Sequence, residues 1–201
     1  MSLDNMARQR PSTTATIAGL EDTSGIRFSS KWRQTAQCPM NCRSIVHMSR
    51  RTVPPKAQKG AFAQAIGTSR GGRTSKIHCL ADDCGRAVAF ALTPGNVADI
   101  KMAIPLLERS KPDKRLIADK AYDADSLRNW LKQNKINPVI PSTAARKTPY
   151  PLDRKAYKRR NVIERLFCRL KNWRRIATRY DRLARNYLAA VAIVSAIIAW
   201  I

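Results

Sequence analysis

The amino-acid sequence predicts an α/β protein in which a mixed β-sheet carries helices on its faces. Residues 74–80 (TSKIHCL) and 86–92 (RAVAFAL) have the alternating or apolar composition of strands, and the turn signal Asp82-Asp83-Cys84-Gly85 separates them. This arrangement predicts an antiparallel hairpin. Helical and strand periods then alternate along the chain, and a hairpin followed by β-α-β-α units folds into a mixed sheet.

The segments after the hairpin follow in the order helix, strand, helix, strand, before two terminal helices. Residues 97–109 have apolar side chains at helical spacing, and Pro105 is expected to kink or restart that helix. Residues 115–118 (RLIA) predict a short buried strand that ends on Asp119, where α/β folds commonly place functional residues. The other predicted elements are a helix that Asp123 or Asp125 caps and that ends at Asn134, a strand over 137–140, a helix over 157–171 and a last helix from about Leu183.

The amino-terminal segment, residues 1–43, shows little periodicity and is predicted to be irregular or disordered. Residues 44–48 (SIVHM) predict a short strand, and the folded domain is predicted to span residues 44–201. A loop over residues 60–72 precedes the hairpin and ends in a basic run that contains Arg70 and Arg73. This loop is expected to be mobile and to carry positive charge.

Positive charge is the strongest compositional signal, with 38 Lys and Arg against 14 Asp and Glu and a formal net charge of +24. A surface this cationic repels itself unless a polyanion neutralises it, so nucleic acid is the expected partner and an anionic membrane surface the weaker alternative. Residues 146–185 hold the densest part of this charge. Aromatic residues that suit base stacking are interleaved there, although Trp173 is expected to be a core residue.

The cysteines and the carboxyl-terminal segment bear on the cellular compartment. An odd count of 5 cysteines without a secretory signal argues against a disulfide framework and for a reducing cytoplasm. Cys38 and Cys42 with His47 give a weak zinc pattern, because no second ligand pair has suitable spacing. Residues 187–201 are almost entirely apolar but shorter than the roughly 20 residues of a bilayer span, which favours a helix buried on all sides over a membrane anchor.

Residues 157–171 (YKRRNVIERLFCRLK) bring one carboxylate and several polar groups onto one helical face. With Glu164 at zero, Lys171, Arg160 and Tyr157 fall at about −20°, −40° and +20° around a helix. An apolar stripe occupies the opposite side and includes Ile163, Leu166, Phe167, Leu170 and Trp173. The alternative is a solvated basic face that contains a single Glu.

The spacing Tyr157-x2-Arg160-x3-Glu164-x6-Lys171 resembles the motif around the last catalytic acid of DDE transposases, the enzymes of bacterial insertion sequences. The resemblance extends over about 67–200. Residues 67–78 resemble the family's glycine-arginine loop and following strand, residues 92–99 its second-strand exit, and residues 116–123 the segment of the second catalytic Asp. It implies a ribonuclease-H-like core with Asp119 and Glu164 as catalytic acids and metal ligands. It also implies DNA-binding roles for Arg70, Arg73, Tyr157, Arg160 and Lys171.

The chemistry that the resemblance implies is metal-dependent cleavage and transfer of DNA strands. Carboxylates in such sites hold two Mg²⁺ ions about 3.5–4 Å apart, and Mn²⁺ is a possible substitute. The implied partners are insertion-sequence ends and target DNA, with a possible homodimer that acts on paired ends and no membrane. The implied location is the bacterial cytoplasm, in association with the nucleoid.

The family's first catalytic Asp is absent from the expected place. Counting back from Gly67 puts that position at Cys42, and no Asp or Glu occurs anywhere in residues 31–81. The nearest upstream acid is Asp22, whose use requires about 20 extra intervening residues, and a thiol is a poor ligand for Mg²⁺. We therefore expect a truncated transposase with impaired catalysis.

Two alternatives stay open. One is an active enzyme whose first acid is Asp22 or comes from outside the chain, and the other is a non-catalytic basic nucleic-acid-binding protein. Asp99 and Asp123 are the other acids near the expected site, and helix capping and loop hydrogen bonding are their expected roles.

Overall fold

The computed structural model describes residues 25–27, 42–51, 64–69, 72–110 and 114–200. Within 25–27 and 42–51 it describes the backbone only, apart from the side chains of Ser44 and Ile45. Arg70 of the glycine-arginine loop lies outside the described residues, and so do the side chains of the weak zinc pattern. Most of the predicted irregular segment 1–43 lies outside them as well.

The described residues form one mixed sheet of 7 strands in the order β1-β5-β4-β2-β6-β7, with β3 beside β4. The strands β1, β5, β4 and β2 pair in antiparallel fashion, whereas β2, β6 and β7 are parallel. This mixed sheet flanked by helices confirms the predicted ribonuclease-H-like fold class. The strand bounds are β1 Gly25–Arg27, β2 Cys42–Arg51, β3 Gly67–Ser69, β4 Gly72–Asp82, β5 Ala87–Pro94, β6 Arg115–Ala118 and β7 Asn137–Val139.

Helices cover both faces of the sheet. Their bounds are α1 Ile100–Arg109, α2 Asp125–Gln133, α3 Arg154–Tyr157, α4 Asn161–Lys171, α5 Arg174–Ala177 and α6 Ala184–Trp200, with 3₁₀ turns at Lys120–Tyr122 and Lys158–Arg160. Successive residues of a strand face opposite sides, so β4 sends Cys79 into the core under α4 and α6 and Leu80 into the core under α1 and α2. A third, smaller cluster joins Ile117, Val139 and Ala156.

The strands predicted after residue 73 are all present at the expected places, whereas the local predictions for the helix ends were less accurate. Pro105 lies inside α1, which is one element from Ile100 to Arg109. The proline is exposed, so water can satisfy the carbonyl that loses its helical partner. Neither expected acid caps α2, because its N-cap is Ala124, with no side-chain hydrogen bond, and Asp125 is its first residue.

The segment predicted as one helix over 157–171 is divided by the 3₁₀ turn Lys158–Arg160. Asp153 caps the short helix before the turn, since its carboxylate accepts a hydrogen bond from the amide of Ala156 at 2.9 Å. A 3₁₀ turn rotates by about 120° per residue instead of 100°, so three such residues turn Tyr157 by about 60° relative to a continuous helix.

The terminal helix α6 packs on one side only, which corrects the expectation that it is buried all around. Tyr187, Leu188 and Val191 are buried against the sheet and α4, whereas Ile193 and Trp200 are 62% and 67% exposed. A helix on the face of a sheet has one covered side, because nothing in the described chain lies beyond it. Among the described residues, no helix combines the length and the apolar character that a membrane crossing requires.

The cysteines differ in state. Cys79 is buried and free, Cys168 is exposed and free, and Cys84 is disulfide-bonded to a partner whose side chain is outside the described part of the chain. Burial raises the pKa of the Cys79 thiol well above its ordinary value, and the charge of Asp82 raises it further.

Candidate functional site

Asp119 follows directly after β6, whose neighbours on both sides are parallel strands. Its backbone is extended, and its carboxylate accepts a hydrogen bond at 2.9 Å from the amide of Ala121, which opens the 3₁₀ turn Lys120–Tyr122. The side chain is partly exposed. The carboxyl end of a parallel strand therefore presents an accessible carboxylate, as expected for Asp119.

Tyr157, Arg160 and Glu164 form one contact chain. Arg160 donates from Nη2 to Oε1 of Glu164 at 2.5 Å, and its guanidinium carbon lies 5.7 Å from the centre of the Tyr157 ring. The Glu164 side chain is 49% exposed, so one carboxylate oxygen remains accessible beside the ion pair. Lys171 is exposed at the end of α4, about 10 Å further along the helix axis.

Packing brings Asp119 and this contact chain to the same side of the sheet. Ile117, two residues before Asp119 and therefore on the same face, packs with Val139 and Ala156, and Tyr157 lies against this cluster. The 3₁₀ turn that contains Arg160 also contacts β6. The 3₁₀ turn that leads into α4, the helix of Glu164, thus lies against the strand that ends at Asp119.

Arg73 lies at the same end of the sheet but beyond Asp119. It is exposed in β4, which begins where β2 ends, and it pairs with Thr68 in a short hairpin. The pairing of Arg51 with Thr74 puts this hairpin about 17 Å past the level of Asp119 along the strands. Arg73 therefore extends the cationic surface away from the acids rather than facing them.

The two other nearby acids are occupied by structural contacts. Asp123 has a fully buried side chain that accepts hydrogen bonds from Arg128 at 2.7 Å, from Arg146 at 3.1 Å and from the Thr143 amide at 2.8 Å. Burial by itself raises the pKa of Asp123, but the hydrogen bonds from Thr143, Arg128 and Arg146 outweigh it and lower this pKa to about 2. Asp123 therefore holds a loop, as expected.

Asp99 departs from its expected role. It stands at the N-terminus of α1 without a side-chain capping bond and instead pairs with Lys76 of β4 at 2.9 Å. Lys76 also donates to the carbonyl of Val97 at 2.9 Å. A cation on the adjacent strand, which the local sequence could not reveal, thus replaces the helix amides as the partner of this carboxylate.

The register of β2 changes the inferred position of the missing first acid. Ile45 pairs with Ala118 in parallel, so the β2 residue level with Asp119 is Val46. Cys42 pairs instead with Arg115, about 13 Å further back along the strand. The backbone pairing therefore corrects the position inferred by counting back from Gly67.

The described residues do not make a complete metal site. No group of three or more His, Cys, Asp or Glu side chains in the described part of the chain is placed to hold a metal ion. The Asp119 carboxylate accepts a hydrogen bond from a backbone amide, and the Glu164 carboxylate accepts one from Arg160. Two such carboxylates do not fit a two-ion centre, which needs several acidic ligands at one point.

Trp173 is not the core residue that the sequence predicts. The apolar stripe of α4 is buried as predicted, but Trp173 is 43% exposed. The reason is that α4 ends at Lys171 and the backbone of Trp173 is extended, so this ring leaves the helical period. Its exposure next to basic residues makes it available for stacking.

Comparison with known proteins places this chain in a family. A family model described as "Transposase DDE domain" matches residues 47–199. The chain is 35% identical over 126 residues to a protein of Brucella ovis named "Putative transposase for insertion sequence element IS6501", covering 62% of this chain and 97% of that protein. It is 31% identical over 144 residues to "Putative transposase for insertion sequence element IS402" of Burkholderia cepacia, covering 66% of each.

Among solved structures, the "Mos1 transposase paired-end complex with left transposon end" matches with a TM-score of 0.34 and 12% identity, over 83% of this chain and 55% of that one. The family match covers most of the chain, and its first matched residue follows the position level with Asp119. The chain belongs to the DDE transposase domain family. The resemblance inferred from the spacing of Tyr157, Arg160, Glu164 and Lys171 is confirmed at the level of the family.

Proposed function

We propose that this chain is the ribonuclease-H-like part of an insertion-sequence DNA transposase that binds DNA but cleaves it weakly or not at all. The proposal rests on one observation at the end of the sheet, which is that a potential catalytic surface is present there while one expected acid is missing. Asp119 and the Tyr157–Arg160–Glu164 contact chain lie on one face. The described strand beside Asp119 contributes no acid.

In this proposal Asp119 and Glu164 are the remaining catalytic acids. The family generally uses a divalent metal ion, and Mg²⁺ or Mn²⁺ would supply the charge that stabilises a transferring phosphoryl group. The carboxylate shared by two ions is the one missing from β2, so we expect Asp119 and Glu164 to retain at most weak metal binding. Strand cleavage and transfer are thus the inherited reaction, which this chain performs poorly.

DNA binding does not depend on the missing acid. Arg160 presents a guanidinium beside Glu164, and Tyr157, Lys171 and Arg73 extend the cationic or aromatic surface on either side, with Arg70 assigned from the sequence alone. Cations of this kind bind phosphates, so affinity should fall steeply with salt and show little base preference. Insertion-sequence ends and target DNA are the expected ligands, and a homodimer on paired ends is the expected assembly.

The test is Mn²⁺- or Mg²⁺-dependent nicking of a labelled duplex, first with the wild-type chain and then with Val46→Asp. Asp at position 46 would stand level with Asp119 and is expected to raise nicking above the wild-type rate. Ser49→Asp serves as the matched control, because it adds the same charge about 10 Å further along the same strand. Adding Asp119→Ala or Glu164→Ala to Val46→Asp should abolish the gain. Circular dichroism checks that each variant is folded.

Two outcomes would contradict the proposal. Wild-type nicking that Asp119→Ala and Glu164→Ala both abolish, and that Val46→Asp does not increase, would mean that a third acid is supplied from elsewhere, with Asp22 as the next residue to replace. Salt-sensitive DNA binding with no nicking in any variant, Val46→Asp included, would favour the second candidate function, a non-catalytic nucleic-acid-binding protein. The absence of a three-acid group among the described side chains is the observation that favours that candidate.

A further inference from the structure

The outer surface of α4 carries cations that face away from Glu164. We call Lys158, Arg165 and Arg169, together with Trp173 at its end, the outer strip. With Glu164 at zero, Arg165 and Arg169 fall at about +100° and +140° around the helix, whereas Arg160 and Lys171 lie at negative angles. Lys158, Arg165 and Arg169 are all exposed, so the outer strip is a surface separate from the candidate site.

The charges of the outer strip are not balanced within α4. The positions three and four residues from Arg165 and Arg169 hold no Asp or Glu, and the two arginines are themselves four apart, which places like charges side by side on the helix. The single acid of α4 is Glu164, and it is bound to Arg160. Like charges four residues apart destabilise a helix slightly, and an anion bound from outside would relieve this repulsion.

A nearby arginine, Arg175, forms an ion pair within the fold and serves as a comparison. Arg175 of α5 donates twice to Asp181, at 2.7 and 3.1 Å, and this ion pair raises the pKa of Arg175. Among the described residues, no comparable carboxylate pair occurs for Arg165 or Arg169. The outer strip therefore differs from the paired cations that hold the fold together.

We infer that the outer strip is a second DNA contact, which holds the phosphates of a strand other than the one beside Asp119 and Glu164, with Trp173 stacking on an unpaired base. This inference rests on the proposed function, since it names a further surface for the same ligand. From Arg165 to Arg169 the helix rises about 6 Å, which matches about two nucleotides at about 3.4 Å per phosphate of one strand. An exposed ring beside a cationic track is the arrangement that binds single strands.

The test compares two double variants that remove the same charge. Arg165→Gln/Arg169→Gln neutralises the outer strip, and Lys101→Gln/Lys132→Gln neutralises two exposed lysines on α1 and α2, on the opposite face of the sheet. Binding to a duplex with a 3′ overhang is measured across salt concentrations. The outer-strip variant is expected to lower the slope of log affinity against log salt by about 1 to 2, while the control stays near the wild-type slope.

Trp173→Ala supplies an independent readout. It should reduce affinity for the overhang-bearing duplex about tenfold and leave affinity for a blunt duplex unchanged, because only an unpaired base offers a free stacking face. Equal slopes for the two double variants, or equal losses on blunt and overhang duplexes for Trp173→Ala, would overturn the inference while the proposed function stands. A wild-type chain that binds neither duplex at low salt would overturn both.

Discussion

Replacement of Asp123 tests the packing beside Asp119 most directly, because Asp123→Asn removes a buried charge and keeps the shape of the side chain. Asp123 holds two arginines, of which Arg128 is itself buried and also donates to the carbonyl of Ile140 at 2.8 Å. In Asp123→Asn the Arg128 guanidinium stays buried but faces a neutral amide instead of a carboxylate, with the carbonyl of Ile140 and the Tyr150 ring as its other partners. Breaking such a buried pair typically costs 3–5 kcal/mol, so we expect a loss of about 3 kcal/mol in the free energy of unfolding.

The pKa of Asp123 gives an independent magnitude. It is about 2 in the folded chain and 3.8 ordinarily, a difference worth roughly 2–3 kcal/mol at neutral pH. Because the folded pKa is the lower one, this stabilisation is complete above about pH 5 and is lost as the pH falls toward 2. The stability gap between wild type and Asp123→Asn should therefore narrow below pH 5, by roughly 1 kcal/mol at pH 3 and about 2 kcal/mol at pH 2.

Urea unfolding followed by circular dichroism at pH 7, 5 and 3 measures both effects. Asp125→Asn is the matched control, because Asp125 also binds Arg146, at 2.7 Å, but its side chain is 66% exposed. Exposed pairs contribute about 0–1 kcal/mol, so this control should unfold almost like the wild type. Equal destabilisation by the two variants, or a gap for Asp123→Asn that does not change with pH, would refute the assignment of Asp123 as a buried ionic anchor.

Two further predictions concern other buried contacts. Arg179 is fully buried and donates to the carbonyls of Gln64 and Ala65 and to Ser75. Arg179→Lys should cost about 2 kcal/mol of stability in thermal unfolding, because an ammonium group does not reproduce the planar set of guanidinium donors. A melting temperature within a degree of wild type would contradict this role. Gly85 has a φ of +79°, and a Cβ there would approach Cγ1 of Val162 to 2.9 Å. Gly85→Ala should therefore destabilise the chain by about 1 kcal/mol or more, and an unchanged or raised melting temperature would show that the turn relaxes.

Local features of this protein were predictable from the sequence. The strands β4, β5, β6 and β7 follow from alternation and turn signals, because side-chain period and turn chemistry act within a few residues. The contact between Arg160 and Glu164 was predictable for the same reason, since residues four apart meet on any helix. The 3₁₀ turn before α4 leaves that contact intact, because Arg160 is the last residue of the turn and the chain from there to Glu164 is α-helical.

Long-range features were not predictable in this way. The partners of Asp123 and the partner of Asp99 come from segments up to 23 residues away, and nothing in the local pattern distinguishes them from solvent. Trp173 was expected in the core because it continues the apolar period, yet the helix ends two residues earlier. The position of the helix end thus determines whether such a side chain is buried, which the apolar period alone does not show.

The sequence by itself determined that this chain is an α/β protein with a cationic surface and a transposase-like acid on a helix, because composition, period and motif spacing are local properties. Tertiary structure alone decided that Val46, and not Cys42, lies level with Asp119. The register between two strands far apart in the chain is set by which faces of the whole sheet are buried, and no count of residues along the connecting loops contains that information.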